Sequence, residues 1–144
     1  SVYIHDVIFN RGDKETTRPI VVGRMKQHLP NMTRFEANNG GDEYCDNVDR
    51  MLRADGIKLN LSYRKAPNNV SKVTRIIQNS PEIRKFYFID DKNASPEYRA
   101  FMREVTSFTQ TGKNRHDDAP DSLAMLVDFL QNGINKVEAV KRPF

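Results

Sequence analysis

Apolar residues in this chain switch repeatedly between the two-residue spacing of a strand and the three-to-four spacing of a helix. Val2 to Phe9 (VYIHDVIF) is dense in β-branched and aromatic residues and ends at Asn10-Arg11-Gly12-Asp13, a turn signal, so it predicts a strand. Thr16 and Thr17 stand ahead of Pro19, Ile20, Val21, Met25 and Leu29, which predicts a helix starting at the threonines and stopping at Pro30. Met32 to Glu36 reads as a short second strand. Asn38-Asn39-Gly40-Gly41 predicts a sharp turn into a helix whose Tyr44, Cys45, Val48, Met51 and Leu52 share one face, with Gly56 at its C-terminal cap. Lys58 to Tyr63 alternates as a third strand, and Ala66-Pro67-Asn68-Asn69 loops out. Ser71 caps a short helix through Asn79, Lys85 to Ile89 reads as a fourth strand, and Ser95-Pro96-Glu97 opens a helix carrying Tyr98, Phe101, Met102 and Val105. The last helix, about Ala119 to Gln131, is apolar nearly all round, so it should be buried and its acidic entrance held rigidly.

Strands alternating with helices predict an α/β layer fold with a mostly parallel sheet after the first strand. At 144 residues the chain reads as one domain over 1–131, followed by a tail over 132–144 whose Lys136, Lys141 and Arg142 have no evident role. A formal charge of +4 favours an anionic partner such as nucleic acid, though only modestly. The single cysteine, Cys45, excludes an internal disulfide and reads as a small buried hydrophobe, which fits an intracellular setting. No apolar run approaches the roughly 20 residues of a membrane span, and the N-terminus lacks a secretory pattern, so a soluble protein with no membrane partner is expected.

Candidate chemistry concentrates in Asn114-Arg115-His116-Asp117-Asp118-Ala119-Pro120-Asp121-Ser122-Leu123, where a histidine and three carboxylates precede the apolar helix. Such acids repel one another by roughly 1 kcal/mol or more per close pair. A helix N-terminus relieves part of this, with Asp118 or Ala119 followed by Pro120 as the helix start, and a divalent cation would relieve the rest. Mg²⁺ and Mn²⁺ prefer carboxylate oxygen, often one or two carboxylates completed by substrate phosphate. The plainer reading is that Asp118 caps the helix while Asp117 and Asp121 are solvated. Glu36 is a second candidate, because it closes a strand directly before the glycine turn, where phosphate or metal can approach an open backbone. Its plainer reading is an exposed acid beside a structural turn.

Lys72 and Arg75 share one helix face, with Arg64 and Lys65 just upstream, a cluster suited to phosphodiester oxygens or simply to solvent. His5 and His28 read as structural, Asp90-Asp91 as turn acids, and Asp13, Asp42, Glu43 and Asp46 as surface or helix-start charges. The chain has no Gly-x-x-x-x-Gly-Lys-Ser/Thr loop, no Gly-x-Ser-x-Gly elbow and no zinc-type Cys/His spacing, so ATP hydrolysis within it is not expected.

The order of these motifs resembles the C-terminal nuclease domain of phage large terminase subunits. The likeness runs from YIHDVIFNRGDKETTRPIVVG through RFEANNGG and KVTRI to NRHDDAPDSLAML. It implies an RNase H-like mixed sheet flanked by helices, and an endonuclease that cuts concatemeric double-stranded viral DNA during genome packaging. It further implies two divalent ions, Mg²⁺ or Mn²⁺, with Glu36 as the acid of the middle strand motif and Asp117 or Asp118 as the closing acid. Asp121 and His116 are further candidates, the histidine to orient water, ligate a metal or shuttle a proton. Lys72 and Arg75, with Arg64 and Lys65, would position DNA in a salt-sensitive, sequence-independent manner. The implied partners are an upstream ATPase domain, the portal and the small terminase subunit, in the cytoplasm of a bacterial host. The family's first catalytic aspartate belongs to an opening strand that should precede YIHDVIF. The expectation is therefore an N-terminally incomplete domain, with Asp6 as the nearest replacement acid and with activity in doubt on that account. The alternatives are a non-catalytic DNA-binding or docking module, in which the acids only cap helices, and a resolvase- or transposase-like nuclease of the same fold.

Overall fold

The computed structural model describes residues 1–66, 69–111, 114 and 116–133. The tail expected over 132–144 lies mostly outside these, as do Arg115 and the middle of the expected 66–69 loop. The architecture is α/β, and the described residues hold five α-helices and two pairs of parallel strands. The described residues fall into two compact units, one formed by Ser1–Phe9 with the chain from Asn69 onward and the other by Asn10–Asn68.

In the second of these, β2 (Thr33–Glu36) pairs in parallel with β3 (Leu61–Arg64); helix α2 (Gly41–Ala54) packs on both strands and helix α1 (Lys14–His28) packs on α2. Helix α1 begins two residues before the threonines, because Asp13 accepts the Thr16 N–H at 2.8 Å and so caps it. It ends where Leu29 turns left-handed ahead of Pro30. Helix α2 ends in a Schellman arrangement: the Ile57 N–H reaches the Leu52 carbonyl at 2.9 Å, across Gly56 at φ 77°. Strand β3 lies later than the alternating pattern predicts. Its register with β2 opens with the Thr33 N–H on the Asn60 carbonyl and closes with the Ala37 N–H on that of Arg64. Val22, Met25, Val48 and Leu52 form the core, and Val48 and Leu52 are fully buried. Cys45 is buried on the same helix, as its apolar spacing predicts.

In the other unit, β1 (Tyr3–Ile4) pairs in parallel with β4 (Tyr87–Phe88), beside α3 (Lys72–Ile83), α4 (Pro96–Thr106) and α5 (Asp118–Asp128). A π-helical turn, Phe129–Gly133, follows α5. Both strands are much shorter than Val2–Phe9 and Lys85–Ile89 predict, and the pairing is parallel. The described strands thus form two parallel pairs and not the mixed sheet that the resemblance implies. Side chains explain where the ladder stops. The buried Tyr98 hydroxyl donates to the Ile4 carbonyl at 2.7 Å and accepts the Ile89 N–H at 3.1 Å, standing in for the next rung. Two residues on, Asp6 accepts the Val7 N–H at 2.9 Å, a local bond that competes with strand pairing.

Helix α3 outruns its expected end at Asn79 and passes through Pro81. Proline leaves the Ile77 carbonyl without its helical donor, and the Ser80 hydroxyl supplies one at 2.9 Å. The core of this unit joins Ile4, Ile76, Ile83, Tyr98, Phe101, Leu123, Ala124 and Val127. Helix α5 is therefore buried on several sides, as its all-round apolar sequence predicts. Among the described residues, no helix is long and apolar enough to cross a membrane.

Candidate functional site

The entrance of α5 is built against α3. Ser71 caps α3 by accepting the Thr74 N–H at 3.1 Å, which fixes Lys72 and Arg75 on the first turn, and these two cations meet the three acids of α5. Lys72 Nζ donates to Asp118 Oδ1 at 2.7 Å and to Asp117 Oδ1 at 3.2 Å. Partial burial alone would lower the Lys72 pKa, but the bonds to Asp118 and Asp117 outweigh it and hold the ammonium above its ordinary value. Two carboxylates thus converge on one cation. Asp118 is exposed, Asp117 half-buried, and His116 beside them is exposed.

Asp121 behaves differently. Its two oxygens accept the Arg75 Nε–H at 2.8 Å and an Nη2–H at 2.9 Å, in a fork with only 14% and 5% of the two side chains exposed. This pair ties α3 to α5 inside the unit. Asp121, expected as a possible metal ligand, and Arg75, expected to face DNA, are here engaged with each other. Nor is Asp118 the capping residue of the plainer reading. Asp117 holds the cap position of α5, without a side-chain capping bond, and Asp118 is the first helical residue.

Farther along the same unit, the chain from Tyr3 to Ile8 and one face of α5 border an open cleft of about 420 Å³. Its lining includes His5, Asp6, Phe101, Ser122 and Leu126. Ser122 stands one helical turn beyond Asp118, on the same side of α5. The pair Asp90-Asp91 closes a turn: Asp90 Oδ1 accepts the Asn93 N–H at 3.1 Å and its side-chain amide at 2.8 Å.

Glu36 belongs to the other unit, where it is exposed at the end of β2 and lies opposite Arg64 in the ladder. The chain then passes through Asn39 (φ 58°) and Gly40 (φ 85°), both left-handed, into α2. Gly41 is obligatory, because a Cβ there would overlap the Glu36 carbonyl oxygen. At Gly40 the Lys14 ammonium lies 2.6 Å from where a Cβ would stand. The turn thus presents an acid beside bare backbone and a lysine that sequence pattern does not single out. Arg64 and Lys65 are exposed at the end of β3.

Two contributors escaped the sequence reading for want of a local signal. One is Lys14, which is brought to the turn by tertiary packing. The other is Glu104, whose Oε2 accepts the Ala119 N–H at 2.7 Å from fifteen positions away. Among the described residues, no three His, Cys, Asp or Glu side chains gather as a ready-made cage for a metal ion. The fit of a divalent cation therefore rests on the Asp117–Asp118 pair. Its oxygens already share one ammonium, and two carboxylates suffice for Mg²⁺ when water and phosphate complete the shell. Asp121 does not offer that fit, since both of its oxygens face the Arg75 guanidinium. Comparison of the chain with protein-family models, curated protein sequences and solved structures finds no match.

Proposed function

We propose that this chain is a metal-dependent DNA endonuclease module of an RNase H-like kind, serving a phage packaging motor by cutting concatemeric double-stranded DNA. The observation that carries the proposal is the convergence of Asp117 and Asp118 on one cation, Lys72 Nζ, at the mouth of a buried helix. In the resting protein the lysine balances the pair. Two bound Mg²⁺ or Mn²⁺ ions would activate a water and stabilise the leaving oxygen of the phosphodiester. Asp117 and Asp118 would offer carboxylates for them at the α5 entrance, while Asp6 faces the cleft that runs along α5; Glu36, at the glycine turn of the other unit, is the further acid that the resemblance implies. His116 would orient the attacking water through a ring nitrogen. Lys72, once released from the acids, would hold the DNA backbone, and Arg64 and Lys65, exposed at the end of β3, are further candidates for phosphate contacts, giving salt-sensitive and sequence-tolerant binding. The Arg75–Asp121 fork keeps the entrance of α5 in place and touches no substrate in this scheme. The reading carries with it an upstream ATPase domain, portal and small terminase subunit as partners, and the cytoplasm of a bacterial host as the setting.

A second reading, a DNA-binding or docking module without catalysis, draws on the same contacts. If Lys72 and Arg75 serve only to neutralise the acids, the whole cluster is a strut between α3 and α5. Supercoiled-plasmid cleavage separates the two. The nuclease nicks or linearises the plasmid in Mn²⁺, stops in EDTA, and loses about 10²-fold or more in rate in Asp118→Asn and Glu36→Gln, since each removes charge that stabilises the transition state. A docking module shifts DNA in a gel without metal, leaves the plasmid intact and ignores both substitutions.

A further inference from the structure

Strands β1 and β4 meet over two residues each, and their outward face carries two tyrosines at one level of the ladder, Tyr3 opposite Tyr87. Alternation along each strand turns Ile4 and Phe88 toward the core and leaves the tyrosines outside, 69% and 55% exposed. Their rings stack on each other, with centroids 4.9 Å apart and planes within 21°. Such a cross-strand stack fastens a short ladder, and it uses only one face of each ring. The outer faces are turned to water.

Beside Tyr3 lies the cleft of about 420 Å³. Tyr3 lines it and Tyr87 does not, so it opens on the flank of β1 away from β4, with α5 as its other wall. Ile4, Phe101, Leu123 and Leu126 make this slot apolar, and His5 and Ser122 give it a polar edge. The Ser122 hydroxyl donates to the Ala119 carbonyl at 2.7 Å and keeps oxygen lone pairs to accept an incoming N–H. On the β4 side, Arg84 and Lys85 are exposed just ahead of Phe86 and Tyr87. Lys85 Nζ lies 3.2 Å from Glu82 Oε1, a surface pair of the weak kind that yields to a phosphate at small cost. An aromatic face over an apolar slot with a polar edge suits a planar ligand that carries hydrogen-bonding groups on its rim, and the neighbouring cations suit one joined to anions. We propose that the Tyr3–Tyr87 stack is a platform for single-stranded nucleic acid: one unpaired base lies on the outer face of Tyr3 over the cleft, and the phosphates run toward Arg84 and Lys85. A duplex cannot use it, because its bases already cover one another. The site stands apart from the metal reading and serves a nuclease or a docking module alike.

Fluorescence anisotropy of a labelled oligothymidylate, titrated with the 144-residue protein in EDTA at fixed salt, tests this, with an abasic strand and a duplex of equal length as comparisons. Expected is binding to oligothymidylate about 10-fold or more tighter than to either comparison, a loss of about 10-fold or more in Tyr3→Leu, and near wild-type affinity in Tyr3→Phe, which keeps the ring. The abasic comparison needs no variant, so it decides even where Tyr3→Leu fails to fold. Equal affinity for oligothymidylate and the abasic strand overturns the platform, because phosphate charge alone then accounts for binding. Tightest binding to the duplex overturns it too, and leaves the double-strand reading of the function standing. Displacement of the strand by thymidine monophosphate at equal base concentration overturns it in favour of a free nucleotide. A dimer in sedimentation that Tyr3→Leu dissociates overturns it in favour of a second copy of the chain.

Discussion

At the scale of single residues, the acids at 117, 118 and 121 are chemically alike and structurally unlike. Burial decides which of them is committed. Asp121 lies in the interior with both oxygens on Arg75, whereas Asp117 and Asp118 share a lysine near the surface. The first pair is architectural. Removing one partner leaves a buried charge with no counterion, so Arg75→Met is expected to destabilise the fold by about 3–5 kcal/mol, read as a lowered urea midpoint. The surface pair contributes little to stability, by roughly 1 kcal/mol or less, and its lysine can yield to another cation at small cost. Sequence alone could place all three acids at a helix entrance. It could not rank them, because rotation about the helix axis, fixed by the packing of Leu123, Ala124 and Val127, determines which one is buried against Arg75 and which stay near the surface with Lys72.

At the scale of elements, the candidate chemistry gathers at termini. The entrance of α5 and the turn from β2 into α2 both bring acids to places where backbone groups are open. In the turn, Gly41 lets the chain fold directly over the Glu36 carbonyl. Gly41→Ala should reposition Glu36 and destabilise the protein at or above the usual 1–3 kcal/mol of an overpacked site, detected as a lowered melting temperature together with displaced Glu36 and Gly40 amide signals. An unchanged spectrum would show that the turn tolerates a side chain. Helix positions were largely legible, because apolar spacing and capping residues such as Ser71 and Ser95 are local signals. Strand lengths were not. Tyr98 and Asp6 end the β1–β4 ladder early, and Ser80 lets α3 continue through Pro81, each by a hydrogen bond that no periodicity reveals.

At the scale of the whole molecule, two hydrophobic cores organise the described residues, one around Val48 and Leu52 and the other around Leu123, Ala124 and Val127. Alternation of strands and helices announced an α/β protein, and that class holds. How its strands pair depends on contacts distant in sequence, which a pattern of apolar positions does not encode. The expected acids fall in different units, Glu36 in one and Asp117 and Asp118 in the other. The α5 entrance can be tested by itself. Titrating the ¹⁵N-labelled protein with substoichiometric Mn²⁺ and following paramagnetic broadening of its amide signals locates a bound ion directly. A cation site at Asp117 and Asp118 is expected to broaden His116, Asp118, Ala119 and Lys72 first, and to lose that selectivity in Asp118→Asn. Broadening centred on other acids, such as Asp42-Glu43 or Asp90-Asp91, or spread evenly over the surface, would contradict it.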